Sequence, residues 1–238
     1  MKELRILKKT KKKISCIIQA RLTSKRLKNK VLRNIKNKSI LELIYLRIKK
    51  SRLLDDIIFI IPDNKKNKKL EIFLKIKNLP YFMGNEKNVF MRYSLCAKLL
   101  KSDIIVRVTA DCPLIDGYLI DKCLKEFLFS KVDYLSNRGS KHEHPDGLDV
   151  EVFNKKLLRL NKKTPLNALE KEHVTQRILT TKNVKKKFMN FKLNKKIKKK
   201  YSVDTYHTFK TVKKFFNKFK NFNFSYNAVI REMISDEK

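Results

Sequence analysis

Three short apolar runs, residues 14–20, 56–61 and 103–109, constrain this chain more than any other feature. Each is continuous rather than alternating and is bounded by polar residues. That is the pattern of a strand buried on both faces. Between them lie stretches with helical periodicity. Ser39 stands where an N-cap belongs, ahead of Ile40, Leu43, Ile44 and Ile48 at helical spacing. Residues 65–77, 88–100 and 116–130 carry the same signature, and residues 80–83 read as a further short strand. Strands alternating with helices of this length predict an α/β fold, a mostly parallel sheet with helices on both faces.

After residue 130 the rhythm loosens. Strands are expected at 132–136, 150–153 and near 187–193, and helices at 155–160, 168–180 and 206–218. A polar loop holding Gly139, Pro145 and Gly147 separates the first two strands. With no internal repeat, residues 14–238 are expected to form one α/β domain behind a basic tail, 1–13. Residues 131–200 would extend the sheet and serve the substrate side or dimerisation.

Charge needs a separate argument. The 238 residues hold 59 Lys and Arg against 23 Asp and Glu, a formal net charge of +36. Such an excess suits a polyanion partner. However, it consists of 47 Lys and only 12 Arg, and base readers favour the arginine fork. The lysines also accompany abundant Asn, Ile and Phe, all with A/T-rich codons, so codon bias would produce the same excess without selection for binding; a polyanion or membrane-surface role is the alternative, and no specific nucleic acid is expected. Residues 182–200, with ten lysines and no acid, read as a solvated surface. No apolar run approaches the roughly 18 residues of a membrane span. The basic start leads into too short an apolar stretch for a secretory signal. A cytoplasmic protein without integral membrane association is therefore expected. Cys16, Cys96, Cys112 and Cys123 form no CxxC pair and lie in or beside apolar segments, which predicts buried free thiols rather than zinc ligands.

In α/β sheets ligands bind beyond the carboxyl ends of the strands, and three segments there carry chemistry. The first, Ala20-Arg21-Leu22-Thr23-Ser24-Lys25-Arg26-Leu27-Lys28-Asn29-Lys30, places arginines, hydroxyls and lysines where they can wrap a triphosphate. It matches neither GxxxxGK[ST] nor GxGxxG, and a plain basic surface loop is the alternative. The second runs from Val106 to Asp116. Asp111, just past a buried strand, can hold Mg²⁺ against nucleotide phosphates or merely cap a turn. The third, Tyr201-Ser202-Val203-Asp204-Thr205, ends in a carboxylate that can join a metal pair or serve as a helix N-cap. His142 and His144 flank Glu143 in the polar loop and are expected to face solvent, as is His207.

Together these segments resemble the cytidylyltransferases that activate acidic sugars, such as the acylneuraminate and 3-deoxy-manno-octulosonate cytidylyltransferases. The likeness is greatest to the branch named for spore coat polysaccharide biosynthesis protein F. The opening motif is Ile17-Ile18-Gln19-Ala20-Arg21, then Ser24-Lys25-Arg26-Leu27 and Lys30-Val31-Leu32. Matches follow in family order: Gly84, Val89 and Arg92-Tyr93; Arg107 to Asp116; Asp133-Tyr134 with Ser136-Asn137; Pro145 to Phe153; Glu172-His173-Val174-Thr175; and Ser202-Val203-Asp204-Thr205. The resemblance implies a nucleotide-diphospho-sugar transferase-like, Rossmann-like fold, Mg²⁺ dependence and a homodimer. Its reaction is transfer of CMP from CTP to a sugar, here expected to be an acidic sugar for surface polysaccharide, with release of pyrophosphate. Carried over, Arg21, Ser24, Arg26 and Lys30 would bind the triphosphate. Arg107, Thr109 and Ala110 would lie along the nucleotide, and Asp111 and Asp204 would hold the metal. Asp146, Asp149, Glu151 and His173 would face the sugar. Arg21, Lys30, Asp111 and Asp204 would carry the catalysis.

The chain departs from the family pattern in places. Lys28-Asn29 stands where Pro-Gly is common, Ala110 where glycine precedes the metal aspartate, Asn88 where an acid precedes Val89, and Tyr206, His207 and Thr208 where Pro, Glu and Asp are usual. Three other readings follow: a nucleotide-sugar-dependent glycosyltransferase, a degenerate nucleotide binder, or a basic module for RNA or membrane surfaces.

Overall fold

The apolar run that opens the chain becomes β1, Ile14–Gln19, and every side chain from Ile14 to Ile18 is buried. Its flanking strands are the other two runs, β4 (Asp56–Pro62) and β6 (Ile104–Thr109), both parallel to it. The computed structural model describes residues 12–138, 144–162, 164–189, 193 and 197–237. The expected N-terminal tail lies mostly outside the described residues, as do His142 and Glu143 of the polar loop. A small hairpin, β2 (Asn34–Ile35) with β3 (Lys38–Ser39), stands apart from the main sheet.

The main sheet has seven strands in the order β5-β4-β1-β6-β8-β7-β9. The others are β5 (Tyr81–Gly84), β7 (Tyr134–Ser136), β8 (Glu151–Asn154) and β9 (Lys186–Phe188). All run parallel except β8, which is antiparallel to both β6 and β7. From β1 the chain moves outward to β4 and β5, then crosses back to lay β6 on the other side of β1. The reversal leaves a crevice at the carboxyl ends of β1 and β6, where open α/β sheets bind ligands. There Gln19 pairs with Thr109, and the Ala110 N–H donates to the Gln19 carbonyl at 3.0 Å.

Helices cover both faces. One face packs on α1 (Ile40–Ile48), α2 (Lys68–Ile76), α4 (Gly117–Ser130), α7 (Tyr206–Asn217) and α8 (Tyr226–Asp236). The other packs on α3 (Val89–Leu99), the 3-10 segment Lys155–Lys162, and α5 (Ala168–Glu172) and α6 (Gln176–Thr180). Local chemistry sets the starts. Ser39 and Glu42 form a capping box on α1. Asn88 accepts from the Met91 N–H at 2.9 Å and so caps α3 where the family pattern has an acid.

Three features differ from the expectations. The helix expected over 168–180 is broken at His173, whose φ of −103° and ψ of 92° are extended, giving α5 and α6. The last strand is shorter, at Lys186–Phe188. Helix α8 was not anticipated, although Ser225 caps it and Val229 and Met233, one turn apart, are fully buried. Each such burial contributes roughly 2 kcal/mol, enough to hold a short helix that would not persist alone. All four cysteines are buried free thiols. Among the described residues no helix is long and apolar enough to cross a membrane.

Candidate active site

At the end of β1 the chain enters the basic loop, and the Leu22 N–H anchors it by donating to buried Asn67 at 2.8 Å. The turn that delivers Lys30 depends on Asn29, which sits at φ 53°, ψ 30° in the left-handed region. Asparagine is the side-chain-bearing residue that tolerates this region best. Asn29 therefore makes the turn without a glycine.

Lys30 then points inward with its side chain only 12% exposed. Its Nζ donates to Asp111 Oδ2 at 2.7 Å and to Asp204 Oδ1 at 2.9 Å. Arg26 approaches the other Asp204 oxygen at 3.0 Å. The two carboxylates, 93 positions apart in sequence, thus converge on one nitrogen. Neither is spent on capping. Thr205 caps α7 by accepting from the Thr208 N–H at 3.2 Å, which frees the Asp204 carboxylate for the cleft. A backbone bond from Val203 N–H to the Asp111 carbonyl, 2.7 Å, ties the two segments together. Burial works against ionisation of Asp111, but the adjacent Lys30 ammonium prevails and holds the carboxyl below its ordinary value. Burial likewise opposes the charge of Lys30, and Asp111 and Asp204 outweigh it, raising the ammonium's value.

These groups line a cleft of ≈ 860 Å³ together with Arg21, Ser24, Thr109 and Ala110. Arg21 is half exposed and lies 3.7 Å from Glu172. Among the described residues no three metal-ligating side chains form a cluster, so these residues offer no closed metal cage. Two convergent carboxylates around a cation nevertheless fit Mg²⁺, which takes one or two carboxylates and completes its shell with water and phosphate oxygens.

A second cavity of ≈ 410 Å³ adjoins the first, and Arg107, Thr109, Arg138 and His173 line both. Asp149, Glu151, Thr175, Tyr134, Leu179 and Phe188 also line it. Glu151 is clamped by Arg107 and by the Tyr134 hydroxyl. Arg107 accordingly keeps its charge more firmly than usual: burial opposes it, and Glu151 more than compensates. Asn137 holds the approach to Asp149, with its amide donating to the Leu148 carbonyl and accepting from the Val150 N–H, both at 2.8 Å.

Asp146 departs from expectation. It lines neither cavity and instead accepts from the Ser202 N–H at 3.0 Å and the Ser202 hydroxyl at 2.6 Å. These bonds tie Asp146 to the segment that carries Asp204. Gly147 works beside it at φ 89°, where an added Cβ would meet the Tyr201 carbonyl carbon at 2.6 Å and its oxygen at 2.7 Å. Gly147→Ala is expected to lower stability by roughly 2 kcal/mol through φ strain and collision, and to lower turnover by displacing Asp204. Denaturant unfolding and initial rates measure both; a variant matching the wild type in each would rule out this tight approach. His144, expected in solvent, is 8% exposed, with Nε2 2.9 Å from the Leu148 carbonyl. Burial lowers its imidazole value to about 4, so it stays neutral. His173 and His207 are exposed, His173 within both cavities. Arg138, Glu172 and Thr175 were not singled out from the sequence. Each lies in or beside a matched motif, and that adjacency was the available signal.

A family model described as Cytidylyltransferase matches residues 15–233. The chain is 38% identical over 176 residues to the uncharacterized protein MJ1063 of Methanocaldococcus jannaschii, covering 74% of this chain and 71% of that one. It is 29% identical over 164 residues to the spore coat polysaccharide biosynthesis protein SpsF of Bacillus subtilis, covering 67% of each. A solved cytidylyltransferase from Leptospira borgpetersenii superposes with a TM-score of 0.86 at 27% identity, covering 95% of both chains. A CMP:2-keto-3-deoxy-manno-octonic acid synthetase solved with CTP superposes at 0.65 and 13% identity, covering 87% of this chain and 99% of the other, and shares the fold. On this family match, and with a carboxylate pair and a basic loop facing one crevice, the chain belongs to the cytidylyltransferase family.

Proposed function

We propose that this protein transfers CMP from CTP to a sugar hydroxyl and releases pyrophosphate, with an acidic sugar for surface polysaccharide as acceptor. The observation that carries the proposal is the convergence of Asp111 and Asp204 on Lys30 in a cleft that opens into a second, sugar-sized cavity. Asp111 and Asp204 would hold Mg²⁺, whose charge would neutralise phosphate oxygens. The chain's own groups do the positioning. Arg21, Ser24, Arg26 and Lys30 receive the triphosphate, and Lys30 and Arg21 stabilise charge on the departing pyrophosphate. Thr109 and Ala110 flank the nucleotide, and Arg107 braces the wall between the cavities through Glu151. Asp149 and His173 orient the sugar. Its hydroxyl oxygen forms a bond to the α-phosphorus, the bond from that phosphorus to the bridging oxygen breaks, and the hydroxyl proton passes to solvent.

The test is direct. Protein, Mg²⁺ and each nucleoside triphosphate are mixed with a panel of acidic sugars, and pyrophosphate is measured. Release that requires CTP and one sugar together supports the proposal; release indifferent to the sugar, or none with any pair, counts against it.

Asp149 adds a pH signature. Burial raises its carboxyl to about 6, opposed by Arg138 and reinforced by Asp146, Glu151 and Asp111. Between the ordinary carboxylate value and about 6 the folded protein holds a proton that the unfolded chain has lost. This group's contribution to stability therefore falls as pH rises through that window. Sugar binding should run the other way, because the ionised carboxylate accepts from hydroxyls. Sugar affinity is expected to rise through pH about 6 and to become flat in Asp149→Asn; titration calorimetry across that range reads the difference.

A further inference from the structure

A metal held by Asp111 and Asp204 would have to draw on their carboxylate oxygens, and each of those oxygens already has a partner. Lys30 Nζ donates to Asp111 Oδ2 at 2.7 Å and to Asp204 Oδ1 at 2.9 Å. Arg26 faces Asp204 Oδ2 at 3.0 Å, and the Cys112 thiol lies 3.5 Å from Asp111 Oδ1. One ammonium thus bridges the two carboxylates, which is the contact a bridging metal would need. Two negative side chains meet two positive ones, so the nucleotide-free cleft is balanced without a metal. A divalent ion and an ammonium cannot share the same oxygens, because like charges this close repel strongly in a part-buried site.

Both side-chain cations are able to leave. Lys30 rides on a flexible four-carbon stem, and it lines the cleft beside Ser24 and Arg21. The Arg26 side chain is 65% exposed. Their loop is pinned by the Leu22 N–H on Asn67 and by buried Leu27, so the side chains can swing while the backbone stays. A triphosphate entering this cleft carries more negative charge than the two carboxylates together, and its bonds to Lys30 and Arg26 are charge-assisted like those they replace. Mg²⁺ itself favours sites completed by substrate phosphates.

We infer that Lys30 is a positioning residue that closes the metal site until nucleotide arrives: triphosphate oxygens draw its ammonium away, and Asp111 and Asp204 are then free for Mg²⁺. Metal therefore binds with or after the nucleotide, never before it. The inference rests on the CMP-transfer reading of the cleft.

The test counts bound metal rather than turnover. Nucleotide-free wild type, Lys30→Met, Lys30→Gln and Lys25→Gln are titrated with Mn²⁺, followed by electron paramagnetic resonance, and with Mg²⁺, followed by calorimetry. CTP affinity is measured separately in metal-free buffer. Lys25 lines the same cleft but, among the described residues, pairs with neither carboxylate. Lys25→Gln therefore removes the same charge without opening the site. Lys30→Met should gain metal affinity on the order of tenfold, because the competing state has gone, and lose CTP affinity by roughly tenfold. Lys25→Gln should leave metal affinity near that of the wild type. Gain in one ligand with loss in the other is a signature that damaged folding does not produce. Lys30→Gln keeps a neutral donor for the carboxylates and makes the same comparison if Lys30→Met does not fold. Metal that saturates the CTP complex should also leave the melting temperature of the nucleotide-free wild type unchanged. A rise there, unchanged metal affinity in the Lys30 variants, or an equal gain in Lys25→Gln overturns the inference. A wild type that binds no CTP with or without metal sinks the CMP-transfer reading as well, whereas wild-type CTP binding beside any of those three results sinks the inference alone.

Discussion

Asp111→Asn is expected to reduce CTP-dependent pyrophosphate release on the order of 10³-fold while the protein stays folded. Asparagine matches aspartate in size but cannot supply the negative oxygen that meets Lys30 at 2.7 Å. The fold should survive because Lys30 keeps Asp204 at 2.9 Å and is not left as an unpaired buried charge. The stability loss should thus be that of one part-buried, charge-assisted hydrogen bond, about 1–3 kcal/mol. Loss in kcat with CTP affinity largely kept is the pattern of a group that acts on the transition state. Asp204→Asn should behave alike, with Arg26 also losing its partner. If either variant retained turnover within tenfold of the wild type at matched folding, the shared carboxylate site would not be catalytic.

The largest stability effect is expected at Arg47, far from the charged cleft. Its side chain is 1% exposed and donates to the carbonyls of Phe222 at 2.8 Å, Phe224 at 3.0 Å and Leu114 at 2.9 Å. The guanidinium lies 3.9 Å from the Phe224 ring centroid, and Asp116 Oδ2 is 4.0 Å away. Burial depresses the guanidinium's value to about 10 against the pull of Asp116, which leaves it charged at neutral pH. Arg47→Met fills much of the space but orphans three carbonyls and takes the buried Asp116 carboxylate's cationic neighbour away. Removing one partner from a buried charged network costs roughly 3–5 kcal/mol, and in a chain of this size that lowers the melting temperature by about 10 °C. Activity should suffer as well, since Leu114 and Asp116 follow Asp111 and the same Asp116 accepts from the Tyr226 N–H at 2.6 Å. Thermal and urea unfolding measure the loss; a change below about 1 kcal/mol would show that the carbonyls find other donors.

Much of the architecture was legible because it rests on local rules. Runs such as residues 14–20 and 103–109 can be satisfied only between two layers of helices. Caps such as Ser39, Asn88 and Asp116 sit where chain geometry requires an oxygen acceptor. The second half was less legible. Strand β8 is four residues long and takes its place from pairing with β6 and β7 rather than from its own pattern. Helix α8 owes its stability to burial against the sheet face.

The site divides in the same way. The order of residues pointed to the basic loop, Asp111 and Asp204, with a plain surface loop and caps as the alternatives, and the family resemblance singled out Arg21 and Lys30 within that loop. Whether Asp204 would cap a helix or face a cleft depended on Thr205 taking the cap. Whether Asp146 would face a sugar depended on Ser202 lying within 2.6 Å of it. That Arg92 is buried is visible only once α3 is packed against the sheet. Periodicity and capping are properties of neighbours in the chain, so the amino-acid order alone determined the layers, the strand ends and the basic loop. Burial, pairing and the meeting of distant charges are properties of neighbours in space, and those the tertiary structure alone decided.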